Sequence, residues 1–455
     1  MSTININQRE VSSFILPFLT VLTIYYFIYI GITDPLYIIF SGFNTLCCIW
    51  WMFNRENKPF TLLKITALFI YVFFILANAI QYSQNKCVLT FSYFFTDTDY
   101  IIFQILLAFI LIIFYCSYSV VWKKTRKKIL SKGTLVSSNM ILNNKLLILF
   151  SISATIITIA YLGFNPYRIF FRGVTESMMI GQTQMAELSN SSSLIFDKFI
   201  RTIPFAVMTL MLIVKSPRKY RIIAFVCMFI SLCPTGLARN AAAMYWLPIF
   251  VLYMGNKLRH NLFMWIMIIG LFFIFPFLNV FRYYNGSIDF KWSMDFLGDM
   301  NFDASQLFMA VIKEGWITYG YQLLGPLLFF VPRSIWPTKP IGSGHAFTEL
   351  NHAWFNNVSM PFFSEGYINF GFLGIIIFVI FLGWLCAKLD IYFWYKWEQA
   401  KSYKSGLYLI FMGALTFILR GDLLSSFAYT VATIFSYLFI VRICSKKRIY
   451  LYFQV

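Results

Sequence analysis

Read for apolar and polar positions alone, the chain alternates long hydrophobic runs with short polar breaks. Twelve runs stand out, near residues 12–31, 35–53, 61–80, 99–121, 145–164, 197–214, 222–237, 240–254, 261–280, 363–386, 405–422 and 424–441. Most approach the roughly twenty residues a helix needs to cross ~30 Å of hydrocarbon. The pattern predicts an all-α polytopic integral membrane protein with about twelve transmembrane helices, in a single transmembrane domain over 1–455. Arg9 and Glu10 precede the first run and no small-residue cleavage site follows it, so that run is expected to stay as a helix rather than leave as a signal peptide. One stretch departs from the rhythm: residues 281–362 form a long loop without a clean spanning helix, aromatic and partly amphipathic. A structureless loop of that length is unusual, so short amphipathic helices lying on or dipping into the membrane interface are expected there.

Composition agrees with a lipid solvent. Of 455 residues 59% are hydrophobic and only 12% charged, with a mean hydropathy of +0.70, whereas soluble domains carry about a quarter charged residues. The formal charge of +19 is explained by where the charges fall. With both termini cytoplasmic, 25 of the 37 basic residues lie inside, against four of the 18 acidic ones. That is the positive-inside arrangement, with KKTRKK at 123–128 as an orientation signal beside anionic lipid. Nucleic acid is not needed to account for the charge. The eight cysteines lie mostly in or beside apolar runs without metal-type spacing, and read as small packing residues.

Cations expected outside are few, and seven of those twelve are arginine, whose planar fork suits phosphate. Arg239 follows Pro234 and Gly236 where a helix restarts at Arg239–Asn240, and the free N–H groups and dipole of a new helix favour an anion. Arg333 and Lys339 lie in VPRSIWPTKP, where three prolines stiffen the backbone and Trp336 either stacks on a sugar ring or sits at the membrane interface. Glu365 opens the tenth run four residues before Asn369, with Tyr367 near, and Gly371, Gly374 and Gly383 suggest close helix packing. Arg420 and Asp422 either pair with each other or face substrate. Arg168 and Arg172, four apart, and Arg282 after the ninth run serve headgroups or a phosphate clamp. His345, Glu349 and His352 would align if helical, offering an acid/base or sugar-binding histidine, though the spacing is no strong zinc signature. Asp295, Asp299 and Asp303 share a helical face that reads as a solvated stripe. No P-loop or GxSxG motif occurs, which leaves nucleotide-driven chemistry without support.

The G-x-x-R-N turn at 236–240, the F-x-P-R-x-x-W-P-x-K-P segment ending at Pro340 and the E-x-Y-x-N-F-G-x-x-G stretch from Glu365 to Gly374 resemble the O-antigen and capsule repeat-unit polymerases, the Wzy-type family. The likeness extends to the layout of nearly the whole chain, including the long outer loop; the N-terminal third matches only in being helical and hydrophobic. The resemblance implies a GT-C-like membrane glycosyltransferase of the bacterial inner membrane, with its active site facing the periplasm. Its substrates would be undecaprenyl-pyrophosphate-linked oligosaccharides, as donor and as acceptor, joined with inversion and without metal or other cofactor. A chain-length regulator is an implied partner alongside membrane lipid. On this resemblance Arg239 and Arg333 stabilise the leaving pyrophosphate, with Arg172, Arg282, Lys339 and Arg420 as further substrate contacts, together with Asn240, Trp336, Tyr367 and Asn369. Glu365, or else His345, takes the hydroxyl proton. The alternatives are an O-antigen ligase-like transferase and a lipid-linked oligosaccharide flippase.

Overall fold

Helices form where the apolar runs predict them. The computed structural model describes residues 8–53, 58–131, 138–170, 196–258, 261–274, 276–277, 294–398 and 402–449. Within these, every one of the twelve runs is helical, from Gln8–Tyr29 to Leu423–Cys444. Among the described residues seven helices are long and apolar enough to cross a membrane: Pro35–Phe53, Leu62–Ser83, Asp97–Ile129, Asn144–Tyr161, Arg218–Gly236, Phe362–Trp397 and Leu423–Cys444. Their outward faces carry large apolar side chains such as Ile39, Phe109, Ile156, Phe372 and Phe435. Such faces have no aqueous rationale, and the protein is membrane-embedded. The other runs are shorter helices, among them Ile203–Val214, Arg239–Met254, Leu262–Ile274 and Lys404–Arg420.

Three departures from the expected pattern matter. The chain is not wholly helical: Ser138–Leu142 and Ser445–Ile449 form an antiparallel two-stranded ribbon. Two segments that flank helices far apart in sequence, the second of them basic, thereby satisfy each other's backbone groups. Second, the helical stretch Phe362–Tyr392 is broken at Phe370 (φ −146°, ψ 24°) and Gly371 (φ 62°, ψ −150°). The two pieces fold side by side, so that a Cβ on Gly366 would stand 2.9 Å from the Gly374 carbonyl oxygen. The Ile368 carbonyl, left without a helical partner by the break, accepts from the Thr318 N–H and hydroxyl at 2.6 and 3.0 Å. Glu365 therefore sits on a short helix ahead of the break rather than at the head of a continuous span. Third, the long loop does contain helices, Ala304–Glu314, Tyr321–Leu327 and Ser343–Leu350. The first is tucked into the bundle rather than laid on an interface: Ala304 through Val311 are all buried.

Buried amides explain how the 304–314 helix is held. Gln81 donates to the Phe302 carbonyl at 2.9 Å and accepts from Ser305 Oγ at 3.2 Å. Gln306 accepts from the Val88 N–H at 2.8 Å and donates to the Lys86 carbonyl at 2.7 Å and to the Tyr100 hydroxyl at 3.1 Å. Asn78 reaches Met309 Sδ and accepts from Tyr37 and Gln104. Each bond satisfies a polar group that would otherwise cost about 1–3 kcal/mol to bury.

At the opposite end, Asp390 is fully buried. It accepts from the Leu62 N–H at 2.9 and 3.1 Å, from the Tyr118 hydroxyl at 2.8 Å and from the Tyr408 hydroxyl at 2.6 Å. One carboxylate thus ties four helices. Lys58 stands over the Trp394 ring at 4.9 Å and Arg126 over Tyr395 at 5.4 Å at this same end.

Candidate functional site

The end of the bundle away from Asp390 gathers most of the polar residues singled out in the sequence. Its centre is the tight junction between the Lys404–Arg420 and Leu423–Cys444 helices. Three groups of this junction, the Arg420 and Asp422 side chains and the Leu423 N–H, leave it in different directions.

Arg420, last residue of its helix, pairs with Asp303 through Nη2 and Oδ1 at 3.2 Å, both side chains largely buried (15% and 8% exposed). Its guanidinium also stands over the Phe73 ring at 5.9 Å, and Phe73 stacks on Phe302 at 4.9 Å. Asp422 accepts from the Ser425 N–H at 2.9 Å and caps the last helix. Arg420 and Asp422 therefore do not pair with each other. One residue serves the loop and the other serves its own helix, because a turn this tight projects them apart. Burial pushes the Asp422 carboxyl above its usual range.

Leu423 donates its N–H to Glu365 Oε1 at 2.9 Å, and the other carboxylate oxygen accepts from the Ser343 hydroxyl at 2.8 Å. Glu365 is 2% exposed and knits the starts of two helices, Leu423–Cys444 and Ser343–Leu350. Asn369 completes the short helix around it, donating to the Glu365 carbonyl at 2.8 Å and accepting from the Leu323 N–H at 2.8 Å. Tyr367 is buried edge-on to Phe372 across the helix break.

Arg239 begins its helix as the sequence predicts, after the short turn Pro234–Gly236. That turn packs so closely on the Ile169 carbonyl that only glycine fits at 236, which brings Arg168, on the Pro166–Phe170 turn, close to the same corner. Arg239 Nη2 donates to Asn301 Oδ1. Asn240 follows it, half-buried in the first helical turn. Asn301 and Asp303 belong to one short segment, so Arg239 and Arg420, from helices far apart in sequence, are held on either side of Phe302. The acidic stripe is thus no helical face. Met294–Gly298 and Met300–Phe302 are tight 3-10 turns. Asp295 accepts from Gln84 at 3.2 Å, Asp299 lies 4.0 Å from Lys86, and Asp303 turns inward. Burial raises the Asp303 carboxyl to about 6 against the pull of Arg420. It raises Asp299 as well, with Lys86 and Arg239 opposing.

The proline-rich corner lies one step further out. Arg333 donates to the Lys339 carbonyl at 2.8 Å and the Pro340 carbonyl at 3.3 Å, while Lys339 Nζ donates to the Phe329 and Val331 carbonyls at 2.6 and 3.0 Å. Both cations clasp their own loop. Burial and the neighbouring Arg333 lower the Lys339 ammonium from its usual range. Trp336 donates to Thr338 Oγ1 at 3.1 Å. The corner touches the junction through Pro340, which packs on Gly325 beside Leu424.

His345 is exposed and 3.9 Å from Glu349. The helix ends at Leu350, and His352 (φ 50°) lies beyond it, so the two histidines and Glu349 do not share a helical face. Among the described residues no cluster of three or more metal-ligating side chains occurs. Arg172 and Arg282 lie outside the described residues. Sequence reasoning passed over Asn301 and Ser343, which carry no charge, and assigned Asp303 to solvent. The signal for Asp303 was its distance of one residue from the apolar helix 304–314, where an acid has to find a partner. Compared with protein families, curated proteins and solved structures, the chain matches none.

Proposed function

We propose that the protein is a membrane-embedded glycosyltransferase that polymerises oligosaccharide repeats carried on a polyprenyl pyrophosphate. The observation that supports this most directly is the pair Arg239 and Arg420, brought from separate helices onto the Asn301–Asp303 segment at one end of the bundle. Two guanidinium groups flanking one short segment suit a diphosphate, whose charge grows as it departs.

The reaction joins two lipid-linked substrates. A sugar hydroxyl of the acceptor attacks the anomeric carbon of the donor, a new C–O bond forms, and the bond from that carbon to the pyrophosphate oxygen breaks. The polyprenyl pyrophosphate leaves with the electron pair, held by the two arginines. The hydroxyl proton passes to Glu365, with Ser343 as the relay, since the Ser343 hydroxyl already hydrogen-bonds Glu365 Oε2. Arg333, Lys339 and Trp336 shape the corner beside the site rather than bind the diphosphate. In this reading the twelve helices all cross a bacterial inner membrane, both termini and the basic turns are cytoplasmic, and the Arg239–Arg420 end faces outward.

The test is purified protein in lipid with an undecaprenyl-pyrophosphate oligosaccharide, read by gel and mass spectrometry. A ladder spaced by whole repeats is expected without nucleotide. Arg239→Ala and Arg420→Ala should each lower the rate by about 10²-fold or more, the scale of losing one transition-state donor. Glu365→Gln at matched expression should lose turnover while retaining donor binding; a wild-type rate in that variant excludes Glu365 as the base. A second reading, a flippase for the same lipid, draws on the broken helix at Phe370–Gly371, since transporters use discontinuous helices at their sites. Movement of the lipid between leaflets with no ladder would favour it.

A further inference from the structure

Arg420 is bound less completely than its burial calls for. A guanidinium has five N–H donors in a planar fork that matches a carboxylate or phosphate through two parallel bonds. Here the ion pair uses a single contact, Nη2 to Asp303 Oδ1 at 3.2 Å, long for a charge-assisted bond. Its Nε–H is buried and finds no acceptor among the described residues. Asp303 is the complement. It stands ahead of the first turn of the Ala304–Glu314 helix, yet its side chain caps no N–H of that helix. Its carboxylate is committed instead to one edge of Arg420.

The surroundings fix this arrangement through the backbone around Asp303. Gln81 holds the Phe302 carbonyl, Ser305 is tied to Gln81, and Gln306 is tied to residues 86, 88 and 100, so the backbone on which Asp303 rides is clamped. The clamp acts on backbone and amides, not on the carboxylate. On the other side of Phe302, Arg239 donates to the neutral amide of Asn301. Asp303 is thus the carboxylate set directly against Arg420.

We propose that Asp303 is a built-in placeholder for a substrate anion: it occupies the edge of Arg420 that a diphosphate takes over, so that the Asp303–Arg420 pair and the bound diphosphate exclude each other. A diphosphate oxygen on Arg420 would meet both the orphaned Nε–H and an Nη, the bidentate edge that Asp303 fills with one bond. Displaced, the Asp303 carboxylate remains at the N-terminal end of the 304–314 helix, where the helix dipole favours negative charge. The exchange lets a buried arginine stay paired when no substrate is present, and weakens binding of any anion too small to displace a carboxylate. This inference rests on the arginine pair being the diphosphate site in the proposed function.

Full-length protein in phosphatidylcholine nanodiscs would be titrated with inorganic pyrophosphate. In parallel, discs carrying undecaprenyl pyrophosphate would be titrated with the same anion, which separates a lipid headgroup from a free diphosphate as the occupant. Asp303→Asn, which removes the charge and keeps the shape, should bind pyrophosphate about tenfold more tightly than wild type, ~1.4 kcal/mol. The gain should vanish in Asp303→Asn combined with Arg420→Ala. In discs already holding the lipid diphosphate, the added pyrophosphate should bind more weakly to both proteins. Unchanged or weaker pyrophosphate binding by Asp303→Asn overturns the placeholder, as does a gain that survives loss of Arg420. If Asp303→Asn does not insert, Asp303→Ser is read by the same criteria. A wild-type ladder with no affinity gain in Asp303→Asn removes the placeholder alone. Tighter binding by the variant with no ladder from wild type removes the polymerase alone.

Discussion

Asp303 and Asp390 are both buried carboxylates, yet their partners make them different chemical objects. Asp390 is met by three neutral donors, the Leu62 N–H and two tyrosine hydroxyls, and serves as a knot between helices. Asp303 meets one cation along one edge. Burial raises its carboxyl to about 6, so the folded protein holds this proton more tightly than the unfolded chain does. Ionised Asp303 therefore costs stability above pH 6, and the cost is relieved as pH falls from about 6 toward the ordinary carboxylate range near 4. Melting temperatures of wild type and Asp303→Asn, compared between pH 4.5 and 7.5 in ~150 mM salt, should show wild type gaining on the variant as pH drops through 6. A difference independent of pH would mean that Asp303 does not titrate there. In the sequence both residues are simply an acid beside an apolar run. Arg420 for Asp303, and Leu62 and Tyr118 for Asp390, come from chain more than a hundred residues away, and no local pattern carries that.

At the scale of elements, the apolar runs were sufficient to locate the helices outside the 281–362 stretch, because length and apolarity are properties of contiguous sequence, whereas the buried 304–314 helix lay within that stretch and was not placed by them. Breaks within helices were not legible in the same way. Phe370 and Gly371 lie in a continuous apolar stretch, and the reversal there depends on Gly366 meeting Gly374 and on Thr318 accepting the task of capping Ile368. The glycines that sequence reasoning assigned to helix packing divide accordingly. Gly383 does face a neighbouring helix, where a Cβ would stand 2.8 Å from the Phe114 carbonyl oxygen, whereas Gly374 packs on its own chain. Gly413 shows how much such contacts matter: a Cβ there would overlap the Met244 carbonyl oxygen, so the Arg239–Met254 and Lys404–Arg420 helices touch backbone to backbone. These are the two helices that carry Arg239 and Arg420. Gly413→Val should therefore destabilise the protein by about 1–3 kcal/mol, the usual cost of overpacking, and lower polymerase activity together with stability. Full activity and an unchanged melting temperature would show that the helices can separate without consequence.

For the molecule as a whole, contacts sort by end. Residues 86, 99, 239, 303, 313, 365 and 420 meet one another's neighbours at one end, while residues 58, 62, 126, 390 and 394 meet at the other. That sorting follows if consecutive helices run in alternate directions, as the charge pattern requires. The orientation can be checked with thiols. In a variant keeping only Cys87, which is exposed at the Arg420 end, an impermeant maleimide should label intact cells. Lys123→Cys in a cysteine-free background should react only after permeabilisation; the reverse result would invert the topology. The sequence by itself determined that this is a helical membrane protein, where its helices lie and which turns are basic, because transfer to lipid depends on the composition of contiguous segments and charge placement on their flanks. Tertiary structure alone decided that Arg239 and Arg420 share one segment, that Glu365 is turned onto Ser343 and Leu423, and that Arg333 and Lys339 spend their charge on their own loop. Those outcomes depend on which distant groups a buried charge can reach, and a desolvated cation or carboxylate takes whatever partner the packing brings within hydrogen-bonding distance.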